Sequence, residues 1–208
     1  MYTLINKNAA LVIDSIAQKH VEDYDFLIAN IGSCNTVNYQ KKFKHFWKIN
    51  VARPNQKFVN YYFNLLHQLL EGEDFLLQDI ALKLYKTKLN SRGTHTLQFS
   101  LSTKMLHVVN TKLPIYDSMV RDFYFFKEPN KEQPIETRLK PFMDFYNFLS
   151  TEYDRILKEH LLEETIQLFI EKRKPSHFTN EKIIDTIIWG FVNCLKKRYF
   201  INPNFKYS

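Results

Sequence analysis

Glycine is scarce in this chain, 4 in 208 residues, and proline is modest at 7. Glycine-rich phosphate loops and turn-rich sheets both draw on glycine's freedom at positive φ, so both are disfavoured. Cysteine is rarer still. Cys34 and Cys194 are the only two, with no CxxC pair. That excludes a disulfide scaffold and points to a reducing compartment, expected to be cytoplasmic, with both thiols buried. The 7 histidines are scattered without ligand spacing, so neither a metal nor another cofactor is expected. No apolar run approaches the roughly 20 residues that span a bilayer. The N-terminal apolar patch, MYTLINKNAALVIDSIAQKH, is interrupted by Asp14 and reads as an ordinary helix, not a signal peptide.

Acidic residues are missing from two long stretches. Phe26 to Leu70 has no Asp or Glu but carries Lys41, Lys42, Lys44, Lys48, Arg53 and Lys57. Ile80 to Tyr116 is likewise acid-free and holds Lys83, Lys86, Lys88, Arg92, Lys104 and Lys112. The acids gather elsewhere, around Glu22 to Asp25 and Glu159 to Glu164, under a net charge of +7. A polyanion is drawn to the first two regions. Lysines that only solvate helix faces are the plainer reading of the same pattern.

What the chain has in quantity is apolar bulk at helical spacing. With 45% hydrophobic residues, 18 Phe and 12 Tyr, it can fill one core, and the periodicity predicts a compact all-α domain over residues 1–208. Helices are expected over Asn8 to Lys19, Phe58 to Leu70, Phe75 to Tyr85 and Leu97 to Val109, and a basic aromatic helix or turn over Tyr39 to Ile49. Others are expected from Asp117 to Phe126, Arg138 to Lys158, Leu161 to Glu171, and from a Thr179 cap to about Tyr199. The run KEPNKEQPIETRLKP reads as a surface loop from its prolines and charge.

The segment TKMLHVVNTKLPIYDSMV, Thr103 to Val120, resembles the core of the helix–hairpin–helix DNA glycosylase superfamily, the oxoguanine-glycosylase type especially. Members carry a lysine at a helix start, a short connection, then a Pro-x-x-Asp-like turn opening the next helix. Lys104, Pro114 and Asp117 fall on those positions. The resemblance covers about residues 58–126, with a helical C-terminal part at about 138–200. It implies a DNA-repair hydrolase in which Lys104 attacks the anomeric carbon of a flipped nucleotide and Asp117 stabilises the developing charge. The segment before the lysine, LQFSLSTK, lacks the family's hairpin glycines; Ser102 and Thr103 supply hydroxyls there instead.

DNA is the expected partner, more than RNA, with Lys41, Lys42, Lys44, Lys48, Trp47, Arg92, Ser102 and Thr103 as the expected contacts. No membrane partner is expected. Phe43, Phe46 and Trp47 among the lysines also suit a purely binding or adaptor role, with phosphate contact and base stacking. A third pattern, Arg155 and His160 as R-x-x-x-x-H, is similar to that of HEPN-type ribonucleases, which implies RNA cleavage. Each key residue has a structural alternative: Asp117 fits a helix N-cap, Lys104 a snorkelling surface lysine, and His107 and Tyr116 fit core packing.

Overall fold

A computed structural model describes residues 1–90, 95–197 and 206. Among these the chain is all-α, with eleven helices and no strand. They are α1 (Tyr2–Lys7), α2 (Ala9–Asp14), α3 (Gln18–Ala29), α4 (Val37–Phe46), α5 (Gln56–Leu70) and α6 (Leu77–Lys86). Then follow α7 (Phe99–Val109), α8 (Ser118–Phe123), α9 (Ile135–Lys158), α10 (Glu163–Arg173) and α11 (Asn180–Lys196). No helix among the described residues is long and apolar enough to cross a membrane.

Local chemistry sets the helix ends. Thr36, Asn55, Asp117 and Thr179 each accept a backbone N–H from the first turn of α4, α5, α8 and α11, satisfying donors that have no intrahelical partner. The expected single helix over Asn8 to Lys19 is instead divided at Ser15–Ala17: α2 ends at Asp14, the Ser15 hydroxyl donates back to Val12 O at 2.6 Å, and Ala17 is extended before α3 starts at Gln18. Asn8, at φ −114 and ψ 19, is buried between α1 and α2, and its amide exchanges bonds of 2.8 and 2.7 Å with the backbone of Lys206. An asparagine with such partners competes with helix continuation. Helix α3 carries the acidic patch of Glu22 to Asp25, and only its first two residues, Gln18 and Lys19, lie within the expected helix. The expected loop is shorter too, because α9 begins at Ile135 directly after Pro134 and runs through Pro141.

Apolar faces converge into two neighbouring cores. Phe142, Phe145, Tyr153, Phe169, Ile187 and Phe191 belong to one. Tyr39, Phe43, Phe58, Tyr62, Leu66 and Met105 belong to the other. Leu106 and Phe178 pack against both. The buried tyrosines keep their hydroxyls paired where carbonyls are near: Tyr62 donates to Leu101 O at 3.1 Å and Tyr39 to Leu27 O at 3.2 Å. Cys34 and Cys194 are buried free thiols.

Helix α11 runs through the first core and packs on α2, α8 and α10. Its approach to α2 requires Gly190, where an added Cβ meets two Ile16 side-chain atoms at 3.0 Å and Val12 at 3.3 Å. A Gly190→Leu substitution overfills this contact and is expected to destabilise the protein by about 1–3 kcal/mol. Urea denaturation measures it; an unchanged midpoint refutes the tight contact.

Candidate active site

The site begins with the connection between α7 and α8. Pro114 cannot continue a helix, and the chain after Val109 is folded back by buried polar bonds. The His107 ring sits at the centre. Its Nδ1 lies 2.7 Å from Leu113 O and its Nε2 2.8 Å from the Tyr24 hydroxyl. A carbonyl only accepts, so Nδ1 carries the proton and the tyrosine donates to Nε2. Thr103 Oγ1 accepts the Tyr116 N–H at 3.1 Å. Asp117 then caps α8, its Oδ1 taking Met119 N at 2.8 Å and Val120 N at 3.0 Å. Both bonds fall on one oxygen, Oδ1.

Lys104 and Asp117 line one cavity of about 500 Å³, within the range of small-molecule sites. Lys104 is not a snorkelling surface residue: it is only 8% exposed. The opposite wall is a polar stripe on α11. Lys182, Asp185, Thr186, Trp189 and Asn193 all line the cavity, at helical spacings that put them on one face. Lys182 Nζ and Asp185 Oδ2 form an ion pair of 2.7 Å with both side chains under a tenth exposed.

Aromatic rings complete the cavity. His20 stacks on Trp189 at 5.5 Å and 8°, and on Phe46 at 4.7 Å and 26°. Trp47, just past α4, has Lys104 Nζ 5.6 Å and Lys182 Nζ 5.4 Å from its ring centroid. Its indole Nε1 is buried with no hydrogen-bond partner. Lys48 follows in the left-handed conformation, φ 54 and ψ 31, rare for a residue with a side chain. Its Nζ lies 5.9 Å from the Trp189 ring centroid.

The electrostatics lower the basicity of Lys104. Burial pushes its amine below the ordinary lysine value; Asp117 and Asp185 oppose that shift, while Lys182 and Lys48 add to it. Burial raises the Asp185 carboxyl, against the pull of Lys182. A buried amine with lowered basicity is a competent nucleophile, because its lone pair is free at a higher fraction. The cavity thus joins an amine, a carboxylate, an ion pair and flat aromatic walls. Among the described residues no group of three or more His, Cys, Asp or Glu is arranged to hold a metal.

The other expected contacts disperse. Trp47 and Lys48 belong to the cleft. Lys41 and Lys42 are exposed on α4, and Lys42 Nζ sits 3.5 Å over the Phe26 ring. Lys44 borders a separate small apolar hollow with Phe58 and Phe63. Ser102 and Thr103 have no exposed surface. Their hydroxyls bond to Gln98 O and Ser100 O, so they hold α7 and its connection rather than meeting a nucleic acid. Arg92 lies outside the described residues. Arg155 spends its donors on Glu152 and Glu159 at 2.8 Å, and exposed His160 faces Glu163. Tyr116 is core-packed, with its hydroxyl on Glu128 at 2.6 Å.

Lys182, Asp185, Trp189 and His20 were missed by sequence reasoning. The one signal for the three on α11 was a charged and polar register along an otherwise apolar helix; His20, on α3, had none. With this geometry in hand, comparison with protein-family models, curated proteins and solved structures finds no match to the chain.

Two expectations follow. Lys182→Met strands a buried carboxylate and is expected to cost about 3–5 kcal/mol, whereas Lys182→Met with Asp185→Leu recovers most of that loss. Chemical denaturation of the single and double variants decides it, and equal losses refute the buried pair. The second concerns pH. Burial lowers both His20 and His107 to about 3 from 6.5. The unfolded chain therefore binds more protons between those values, and stability must rise with pH across that window. Urea midpoints should fall as pH drops from 6.5 toward 3, and His20→Phe, which keeps the stack, should flatten that fall.

Proposed function

We propose that this protein binds DNA and excises a damaged or modified base, as a divergent relative of the helix–hairpin–helix glycosylases. The observation that carries the reading is that Lys104 and Asp117 line one aromatic-walled cleft. A nucleotide turned out of its stack presents a flat base and a sugar carbon, and such a cleft offers stacking faces beside an amine.

In the proposed reaction the Lys104 amine bonds to C1′ as the C1′–N glycosidic bond breaks, and the base leaves with the electron pair and takes up a proton. Opening of the sugar then breaks C1′–O4′, with a proton to O4′, and leaves a protonated imine between Lys104 and C1′. Asp117 stabilises the positive charge that develops on the sugar. Its work as N-cap and its work on charge use different oxygens, so one residue serves both.

A non-catalytic DNA-binding role is the second reading. The glycine-free segment before Lys104 favours it, since a glycine backbone is what brings a hairpin close to phosphate.

Borohydride trapping on duplexes carrying abasic sites and a panel of modified bases tests the chemistry. Wild type should form a covalent adduct and Lys104→Ala none. Asp117→Asn keeps the cap, because asparagine caps as well as aspartate, and should slow trapping by roughly 10²-fold or more. Asp117→Ala should in addition lose about 1 kcal/mol of stability. DNA binding without any Lys104-dependent adduct or base release favours the non-catalytic reading.

A further inference from the structure

A second cavity, of about 470 Å³, is lined by Asn55, Lys57, Lys86, Thr87, Lys88, Asn90 and His95. Among its described lining residues there are three lysines and no carboxylate. The cleft differs, since it mixes Lys48, Lys104 and Lys182 with Asp117, Glu128 and Asp185. A concave wall of one sign focuses its field and raises the local concentration of the opposite ion.

The two acid-free stretches of the sequence meet here. Asn55 staples them together: its backbone N–H donates to Leu89 O at 2.8 Å, and its Nδ2 to Lys88 O at 3.1 Å. The same residue caps α5 through Phe58 N at 2.8 Å, so Lys57 and Lys88 rise from fixed backbone. The His95 Nδ1–H donates to Tyr85 O at 2.9 Å, which turns the exposed ring into the same frame.

Chain length bounds the distance to the cleft. Val51 lines the cleft and Asn55 the second cavity; four residues reach at most about 14 Å. Along a duplex axis, with a rise of about 3.4 Å per step, the two rims at Val51 and Asn55 are thus no more than about four steps apart. Between them in the chain stands exposed Arg53, in the left-handed conformation at φ 48.

We infer that the basic cavity at Lys57, Lys86 and Lys88 holds backbone phosphates of the same DNA strand whose nucleotide enters the cleft, a few steps along. This rests on the DNA-binding reading and adds to it the seat of the phosphate contacts. The substrate is then a polynucleotide with several nucleotides beside the target, not a free nucleoside.

The test is the salt dependence of binding to a fluorescein-labelled DNA duplex, read by anisotropy. It compares the full chain with the triple variant Lys57→Gln, Lys86→Gln, Lys88→Gln. The control is Lys7→Gln, Lys140→Gln, Lys158→Gln, which makes the same charge change at exposed residues elsewhere. Losing three phosphate contacts should flatten the slope of log K against log salt by about 2–3. The control should keep the wild-type slope. Equal slopes in the two triple variants overturn the phosphate seat while leaving DNA binding intact. A wild type that binds no duplex at physiological salt overturns both this inference and the reading beneath it.

Discussion

Lys182 and Asp185 are an ion pair inside the protein, on a helix whose other buried residues are mostly apolar. Desolvating two charges costs several kcal/mol each, and their attraction returns it only with good geometry and a fixed setting. The setting comes from α11, held between α2, α8 and α10 with Gly190 tight against Ile16. Because the helix cannot rotate without driving its polar stripe into the core, Thr186, Trp189 and Asn193 are held in the cleft wall as well. The cavity's shape and its charge thus follow from one packed helix.

The facing wall depends on polar bonds instead of apolar packing. His107, Thr103 and the Asp117 cap bend the chain after Pro114 so that α8 starts beside α7. Lys196 Nζ reaches Asp122 Oδ2 at 2.6 Å and ties α8 back to α11. A lysine in mid-helix and an aspartate thirteen positions later come to share a space for this reason. Burial on both sides then weakens the basicity of the Lys104 amine, the property a nucleophilic role demands.

The two basic stretches end in different work. Part of the first supplies the cleft with Trp47 and Lys48, while Lys42 settles over Phe26. Lys57 meets Lys86 and Lys88 of the second stretch at the Asn55 staple, in a hollow with no carboxylate among its described lining residues. The cleft therefore carries mixed charge and the hollow lysines alone among its charged described lining residues, a division that suits the proposed chemistry in the one and phosphate binding in the other.

Sequence alone determined the helical class, because apolar residues at three- and four-residue spacing can bury a face only as helices. It also gave the caps at Asp117 and Thr179, which depend on a short polar side chain and its own next turn. Lys104 and Asp117 stood out by type and order, since the segment carrying them is local. Local signals misjudged Ser15 to Ala17, where the chain breaks between α2 and α3, and the run before Arg138, where α9 begins already at Ile135. Only the tertiary structure decided that Lys104 is buried, that Ser102 and Thr103 face inward, and that α11 supplies the opposite wall. Burial and juxtaposition depend on residues far apart in the chain, and no periodicity within one helix records which other helix will cover it.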